Sequence, residues 1–221
     1  MEALDEPTGK ALLASFGIRV PAFRVIQDGE DMASIVRDLR SPYVLKVVSS
    51  QIVHKSDFGA VKVGLKDASQ IAECMEAIRA SLGSKGIRAD RWLIEEMAPA
   101  GLECVVGGVI DPEFGPMVMA GIGGIFVEVM GDVAFRICPI DRVDALEMLT
   151  ELRASSLFRG ARGRDPVSVE CIADVLLKIG GDGGVLMTCM DDMDELDVNP
   201  LIVAGNSAIA VDARFILRKR A

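Results

Sequence analysis

The stretch "DELDVNPLIVAGNSAIAVDARFIL", near the C-terminus, constrains this chain more than any other. Gly205-Asn206 is a favoured two-residue hairpin turn between apolar runs. With that turn, cross-strand partners share a constant sum of residue numbers. Ala204 faces Ser207, Val203 faces Ala208 and, by continuation, Asn199 faces Asp212. Directly opposed residues hold their Cβ atoms about 4.5–5.5 Å apart. Asp197 lies two residues before Asn199 and points to the same face. Glu195 shares that face but lies about 13 Å of strand away from Asn199. Asp197, Asn199 and Asp212 therefore form a compact all-oxygen cluster. Such a cluster suits Mg2+, which takes a few oxygen ligands and leaves room for water and phosphate. A solvated hairpin with acidic edges is the plainer alternative.

The rest of the chain reads as alternating helices and strands. Helical spacing covers 7–16, ended by Gly17, and then 31–40, 68–82, 141–153 and 166–179. Strand patterns cover 21–27, 43–49, 60–66, 91–97 and 102–111, and 116–130 reads as strand, glycine turn, strand. Strands come in pairs with helices between them, which predicts an α+β fold rather than a regular βαβ array. A boundary between two subdomains falls near 91–101. The expected division is a helix in 1–20 packing on the larger subdomain, a first subdomain over 21–92 and a second over 93–221.

Length and charge narrow the function classes. The 221 residues suffice for a sizeable core, and a net charge of -9 disfavours nucleic acid and anionic lipid as partners. No apolar run reaches the roughly 18 residues of a membrane span, and residues 1–20 lack a signal-peptide layout. Cys74, Cys104, Cys138, Cys171 and Cys189 are odd in number and never spaced C-x-x-C. They read as reduced thiols of a cytoplasmic protein. With a single histidine, a structural zinc site is not expected.

Three further features bear on chemistry. Lys46 sits inside "VLKVV", where a buried charge is costly unless paired. It is either a phosphate-binding lysine or an exposed edge residue. The turn "AGIGGIF", with Gly123 and Gly124, can cradle phosphate through backbone N–H groups, or simply reverse a strand. It is not a G-x-G-x-x-G helix opening, and no Walker motif occurs. Glu128, Asp132 and Arg136 follow in a polar stretch that lines a cleft or faces water. The lone His54 stands in "QIVHKSDFGAV". A general base needs a specified partner, and a metal site needs more nitrogen or sulfur ligands. A phosphoryl carrier needs only access, a nearby cation such as Lys55 and an orienting carboxylate such as Asp57.

Together, "VLKVVSSQIVHKSDFGAVKVGL", "GGVIDPEFGPMVMAGIGGIFVEVMGDVAFRICPI" and "ELDVNPLIV…AVDARFIL" closely resemble the ATP-grasp β subunit of ADP-forming acetyl-CoA (acyl-CoA) synthetases. That family is related to the β subunit of succinyl-CoA synthetase. The resemblance runs from the first helix to Leu217. It implies an ATP-grasp fold, two α+β subdomains holding ATP or ADP with Mg2+ between them. It implies the reaction acyl-CoA + ADP + phosphate ⇌ acid + CoA + ATP. It further implies that His54, in the H-K-S-D motif, relays the phosphoryl group to ADP. By the same resemblance Lys46 contacts nucleotide phosphates. Glu95, Glu96 and Met97 form the hinge around adenine, and Glu103 lies near the ribose. Asn199 and Asp212 ligate Mg2+ with Asp197 beside them. Arg136 is a candidate contact for the transferred phosphoryl group.

Two departures from the family pattern stand out. Gly59-Ala60 replaces the usual Gly-Gly, and nothing in the chain resembles a CoA-binding or CoA-ligase domain. An α partner or fused domain is therefore expected to supply the acyl-CoA chemistry. The competing readings are a non-catalytic nucleotide-sensing module of a fused protein acyltransferase, and a carboxylate ligase with no need of His54.

Overall fold

The computed structural model describes residues 2–27, 29–49, 52, 55, 58–89, 91–124, 127, 130–160 and 165–218. They form two compact units, residues 21–98 and residues 1–20 with 99–221. All ladders in both units are antiparallel, as expected for an α+β protein.

The larger unit opens with β1 (Glu2–Ala3) and α1 (Glu6–Ser15). Asp5 caps α1 by accepting the Thr8 N–H at 3.0 Å. After the helix, Gly17 adopts φ +73°, a left-handed stop that glycine tolerates without strain. The unit continues with β6 (Leu102–Asp111), β7 (Gly115–Ile122) and β8 (Val133–Ile137). Helices α4 (Arg142–Glu151), α5 (Val169–Gly180) and the one-turn α6 (Val185–Thr188) follow. The chain ends in β9 (Met193–Ala204), β10 (Ser207–Ala210) and β11 (Arg214–Leu217). Sheet order is β1-β11-β9-β6-β7-β8, with β10 also on β9.

The sheet's two faces differ. Phe215, Leu196, Gly108, Val118 and Arg136 are successive partners and form one row. Helices pack on this face. A Cβ on Gly9 of α1 would lie 3.0 Å from Phe215, and one on Gly180 of α5 would lie 2.9 Å from Val118. The buried stripe of α5, Ile172, Ala173, Val175, Leu176 and Ile179, is the apolar face that this packing requires. One residue along, Arg214, Asp197, Gly107, Met119 and Phe135 form a row on the opposite face.

The smaller unit holds β2 (Phe23–Gln27), α2 (Met32–Ile35), β3 (Tyr43–Val47), β4 (Val61–Leu65), α3 (Ala68–Gly83) and β5 (Arg91–Glu96). Its sheet order is β2-β5-β3-β4. Ile71, Met75, Ile78 and Leu82 of α3 are buried at helical spacing in a core with Leu45, Val47, Trp92 and Ile94.

The stretch 116–130 departs from its expected form. Strand β7 ends at Ile122, and Val127 is helical, its carbonyl accepting the Gly131 N–H at 3.2 Å. Val127 Cγ2 would sit 2.9 Å from a Cβ on Gly121, so this apolar residue packs over the sheet instead of extending it. The second strand is β8, within the stretch that reads as merely polar in sequence.

Candidate functional site

The C-terminal hairpin keeps the register its turn dictates. Ser207 pairs with Ala204 and Ala210 with Leu201; further on, Arg214 pairs with Asp197. Between those segments the Val211 N–H donates to Pro200 O at 3.1 Å, so the residue-number sum holds from Ser207 to Ile216 and shifts only at Leu217. Asn199 and Asp212 therefore occupy opposed positions, with Asp197 and Arg214 as the next pair on the same face.

The electrostatics of this corner are unusual. The Asp197 carboxyl is pushed up to about 6, first by burial and then by the charges of Glu195 and Asp212, with Arg214 pulling the other way. A Cβ on Gly107, directly across from Asp197, would lie 3.6 Å from Asp197 Oδ1. Glycine at this position leaves that oxygen free of a neighbouring side chain. Asp212 Oδ1 accepts the Ala213 N–H at 2.8 Å. Two carboxylates and one amide oxygen suit a hard divalent cation that keeps part of its water. A cation would also supply the positive charge that Asp197 lacks. Among the described residues no group of three His, Cys, Asp or Glu is arranged to hold a metal. The set here depends on the Asn199 amide as third donor.

In the smaller unit, Lys46 is buried and paired. Its Nζ lies 2.9 Å from Glu95 Oε1, with both side chains almost fully enclosed. Val44 faces Glu95 across the ladder and Lys46 faces Leu93, so Lys46 and Glu95 are diagonal neighbours on one face. The exposed-edge alternative for Lys46 is thereby removed. The neighbouring hinge residues are engaged locally. Glu96 Oε1 accepts the Arg40 N–H at 2.9 Å, and the Met97 N–H donates to Pro42 O at 2.8 Å. A base bonding to the Met97 amide would have to displace that carbonyl.

His54 lies outside the described residues, as do Asp57 and Glu128. Beyond the motif, Gly59 adopts φ +65° and Ala60 is fully buried. The Ala60 methyl is thus a core group at the end of the segment, and the left-handed geometry belongs to Gly59.

Glu103, Gly123 and Gly124 meet in the larger unit. The Gly123 N–H donates to Glu103 O at 2.7 Å, which commits that amide to the backbone. Gly124, with φ +67°, is exposed. Arg136 is not brought to the acidic corner. It lies in the helix-covered row and donates to Glu151 Oε2 of α4 at 3.0 Å. That bond, the largest influence on its guanidinium, holds the Arg136 pKa above its ordinary value.

Sequence reasoning missed Arg214, although the hairpin register alone places it opposite Asp197. It also missed the Lys10–Glu6 pair at 2.9 Å in α1, both side chains being buried. Glu and Lys four residues apart on the inward stripe of a helix were the available signal.

Residues 1–217 match the ATP-grasp domain family. The chain is 43% identical over 216 residues to the beta subunit of ADP-forming acetate–CoA ligase I of Pyrococcus furiosus, covering 97% of this chain and 91% of that protein. A solved dinucleotide-forming acetyl-coenzyme A synthetase 1 of Ca. Korarchaeum cryptofilum, in complex with coenzyme A, Ca-AMPCP and HgCl+, superposes with a TM-score of 0.91 at 37% identity, covering 98% of this chain and 94% of that one. A second structure of that enzyme holds coenzyme A and Mg-AMPPCP, with its phosphohistidine segment pointing towards the nucleotide binding site. Its TM-score is 0.82 at 37% identity, with coverage of 98% and 93%. Among the described residues no helix is long and apolar enough to cross a membrane.

Proposed function

The chain belongs to the ATP-grasp family of ADP-forming acetate–CoA ligase beta subunits, and from that premise we propose that it is the nucleotide-binding, phosphoryl-relaying component of an ADP-forming acyl-CoA synthetase. The observation that carries this reading is the hairpin register, which supports Asn199 standing opposite Asp212 with Asp197 two residues along the same strand.

The partner subunit or fused domain forms an acyl phosphate from acyl-CoA and phosphate and releases CoA. An imidazole nitrogen of His54 attacks the phosphorus. The N–P bond forms, the P–O bond to the acyl group breaks, and the carboxylate leaves. A terminal phosphate oxygen of ADP then attacks the same phosphorus, the N–P bond breaks, and ATP and free imidazole remain. Both steps are displacements at phosphorus by a group of comparable leaving ability, which keeps the relay reversible.

Lys46 meets the nucleotide phosphates as a compact point charge. Asp197, Asn199 and Asp212 hold Mg2+, which when bound neutralises phosphate charge so that one anion can approach another. Lys55 and Asp57 flank His54 in sequence and serve to steer and orient it. The test is isotope exchange from labelled ADP into ATP with Mg2+, in the absence of acid and CoA. Exchange by the chain together with its partner, lost in His54→Ala with Mg-ADP affinity kept, supports the relay. Exchange that persists in His54→Ala rejects it.

A further inference from the structure

Among the described residues, the strands of the larger sheet carry two cations, Arg136 and Arg214. They lie on opposite faces. Arg136 is in the helix-covered row with Val118, bonded to Glu151 of α4. Arg214 is in the row with Asp197, Gly107 and Met119. It is exposed, and among the described residues it makes no ion pair or hydrogen bond through its guanidinium.

The pairing makes the missing hydrogen bond informative, since Arg214 acts on Asp197 only through its charge. Arg214 faces Asp197 directly across the ladder, so their Cβ atoms are about 4.5–5.5 Å apart. An aspartate at that distance is the obvious partner. Yet Asp197 Oδ1 lies on the β6 side, where a Cβ on Gly107 would be 3.6 Å away. The carboxylate leans into the space left by glycine, and the guanidinium is left to solvent. A cation whose only purpose was to neutralise Asp197 would close that gap.

We propose that Arg214 is a phosphate-binding residue of the nucleotide site, donating to the terminal phosphate of the nucleoside diphosphate that shares the cation of Asp197, Asn199 and Asp212. The proposal rests on the nucleotide reading above. A divalent cation held by these oxygens would sit at the phosphate chain of the nucleotide, where it would neutralise charge. Arg214 is the next residue on that face, and a guanidinium fork fits two phosphate oxygens at once. It therefore takes, in the same sheet, the phosphoryl-contact role for which Arg136 lies on the wrong side.

The predicted signature has two parts of opposite sign. The full-length chain and its Arg214→Gln and Arg214→Lys variants are titrated with Mg-ADP, with AMP, and with Mn2+ alone followed by its paramagnetic resonance. Arg214→Gln weakens Mg-ADP binding about ten- to hundredfold, the worth of charged hydrogen bonds. AMP binding, which lacks the outer phosphate, changes far less. Mn2+ alone binds as tightly or more tightly, because a repelling charge has gone. Arg214→Lys recovers part of the ADP affinity. Equal losses for ADP and AMP, or no loss for either, overturn the proposal. So does a parallel loss of Mn2+ binding, which would make Arg214 a support for the metal ligands. If the wild-type chain itself fails to bind Mg-ADP, the nucleotide reading falls first and this inference with it, an outcome distinct from the others.

Discussion

Phe215, Leu196, Gly108, Val118 and Arg136 cross the larger sheet on one side, while Arg214, Asp197, Gly107, Met119 and Phe135 cross it one residue along on the other. The two rows are interleaved in sequence. In the first, Leu196 is 1% exposed and Phe215 and Val118 are 0%, and the one charged member is bonded to Glu151 of a covering helix. In the second, Phe135 is 49% exposed and Arg214 faces solvent. Asp197 is held with its carboxyl raised towards neutrality by burial and two acidic neighbours. One row satisfies every group with protein. The other leaves charge for something else to satisfy. The alternation of a strand lets one hairpin serve both purposes, because each residue's neighbour belongs to the opposite face.

The contrast predicts that substitutions one residue apart fail in different ways. The largest effect on stability belongs to Leu196→Ala, which empties a packed site and costs about 2–5 kcal/mol in denaturant unfolding. Cation affinity of the folded fraction should stay near wild type. Asp212→Asn keeps an oxygen to accept the Ala213 N–H and removes one charge. It should weaken Mg-nucleotide binding by at least about tenfold, a typical cost of disturbing a metal shell, with little change in unfolding. If Asp212→Asn binds Mg-nucleotide normally, the hairpin is not a metal site.

Gly107→Ala tests the join between the faces. Its new Cβ would meet Leu196 O at 2.8 Å and stand beside Asp197 Oδ1. A stability loss of about 1–3 kcal/mol together with weaker Mn2+ binding is expected, since backbone and carboxylate must both shift. Loss of stability with unaltered Mn2+ affinity would show that the glycine serves packing alone.

Acid should distinguish the faces as well. The Asp197 carboxyl is raised, so its ionised form is disfavoured in the folded chain. The sign follows from linkage. Above a pH of about 6 the buried charge is a liability to the cation-free fold, and that liability is relieved as pH falls through 6. Cation affinity runs the other way, because protons compete for the ligand. Mn2+ binding should weaken as pH falls through that range, and the corresponding step should vanish in Asp197→Asn. The smallest effect belongs to Arg136→Ala, which severs an exposed surface pair that solvent screens, so unfolding should barely change. Isotope exchange should be unchanged, and a large loss would return Arg136 to the phosphoryl site.

Much of this was readable from the chain itself because it depends on local chemistry. The Gly205-Asn206 turn set the hairpin register, and the register placed Asn199 opposite Asp212 without any knowledge of the rest of the fold. The periodicity of Ile71, Met75, Ile78 and Leu82 gave α3 its buried face. What was not readable depended on non-local pairing. Lys46 finds Glu95 only because β3 lies next to β5, and strand order is not encoded in either segment alone. Strand β8 was hidden because apolar residues before it suggested a strand, whereas Val127 spends its side chain over Gly121. The face of Arg136 was unreadable for the same reason, since it could not be assigned before its strand was found.

The relay through His54 leaves a covalent trace that labelling can detect. The chain, with its acyl-CoA-forming partner present, is incubated with [γ-32P]ATP and Mg2+, and the protein is assayed for bound phosphate. The expected label is stable to alkali and lost in acid, as an N–P bond requires, and absent from His54→Ala. Wild-type protein without label, or the same label on His54→Ala, would contradict the relay.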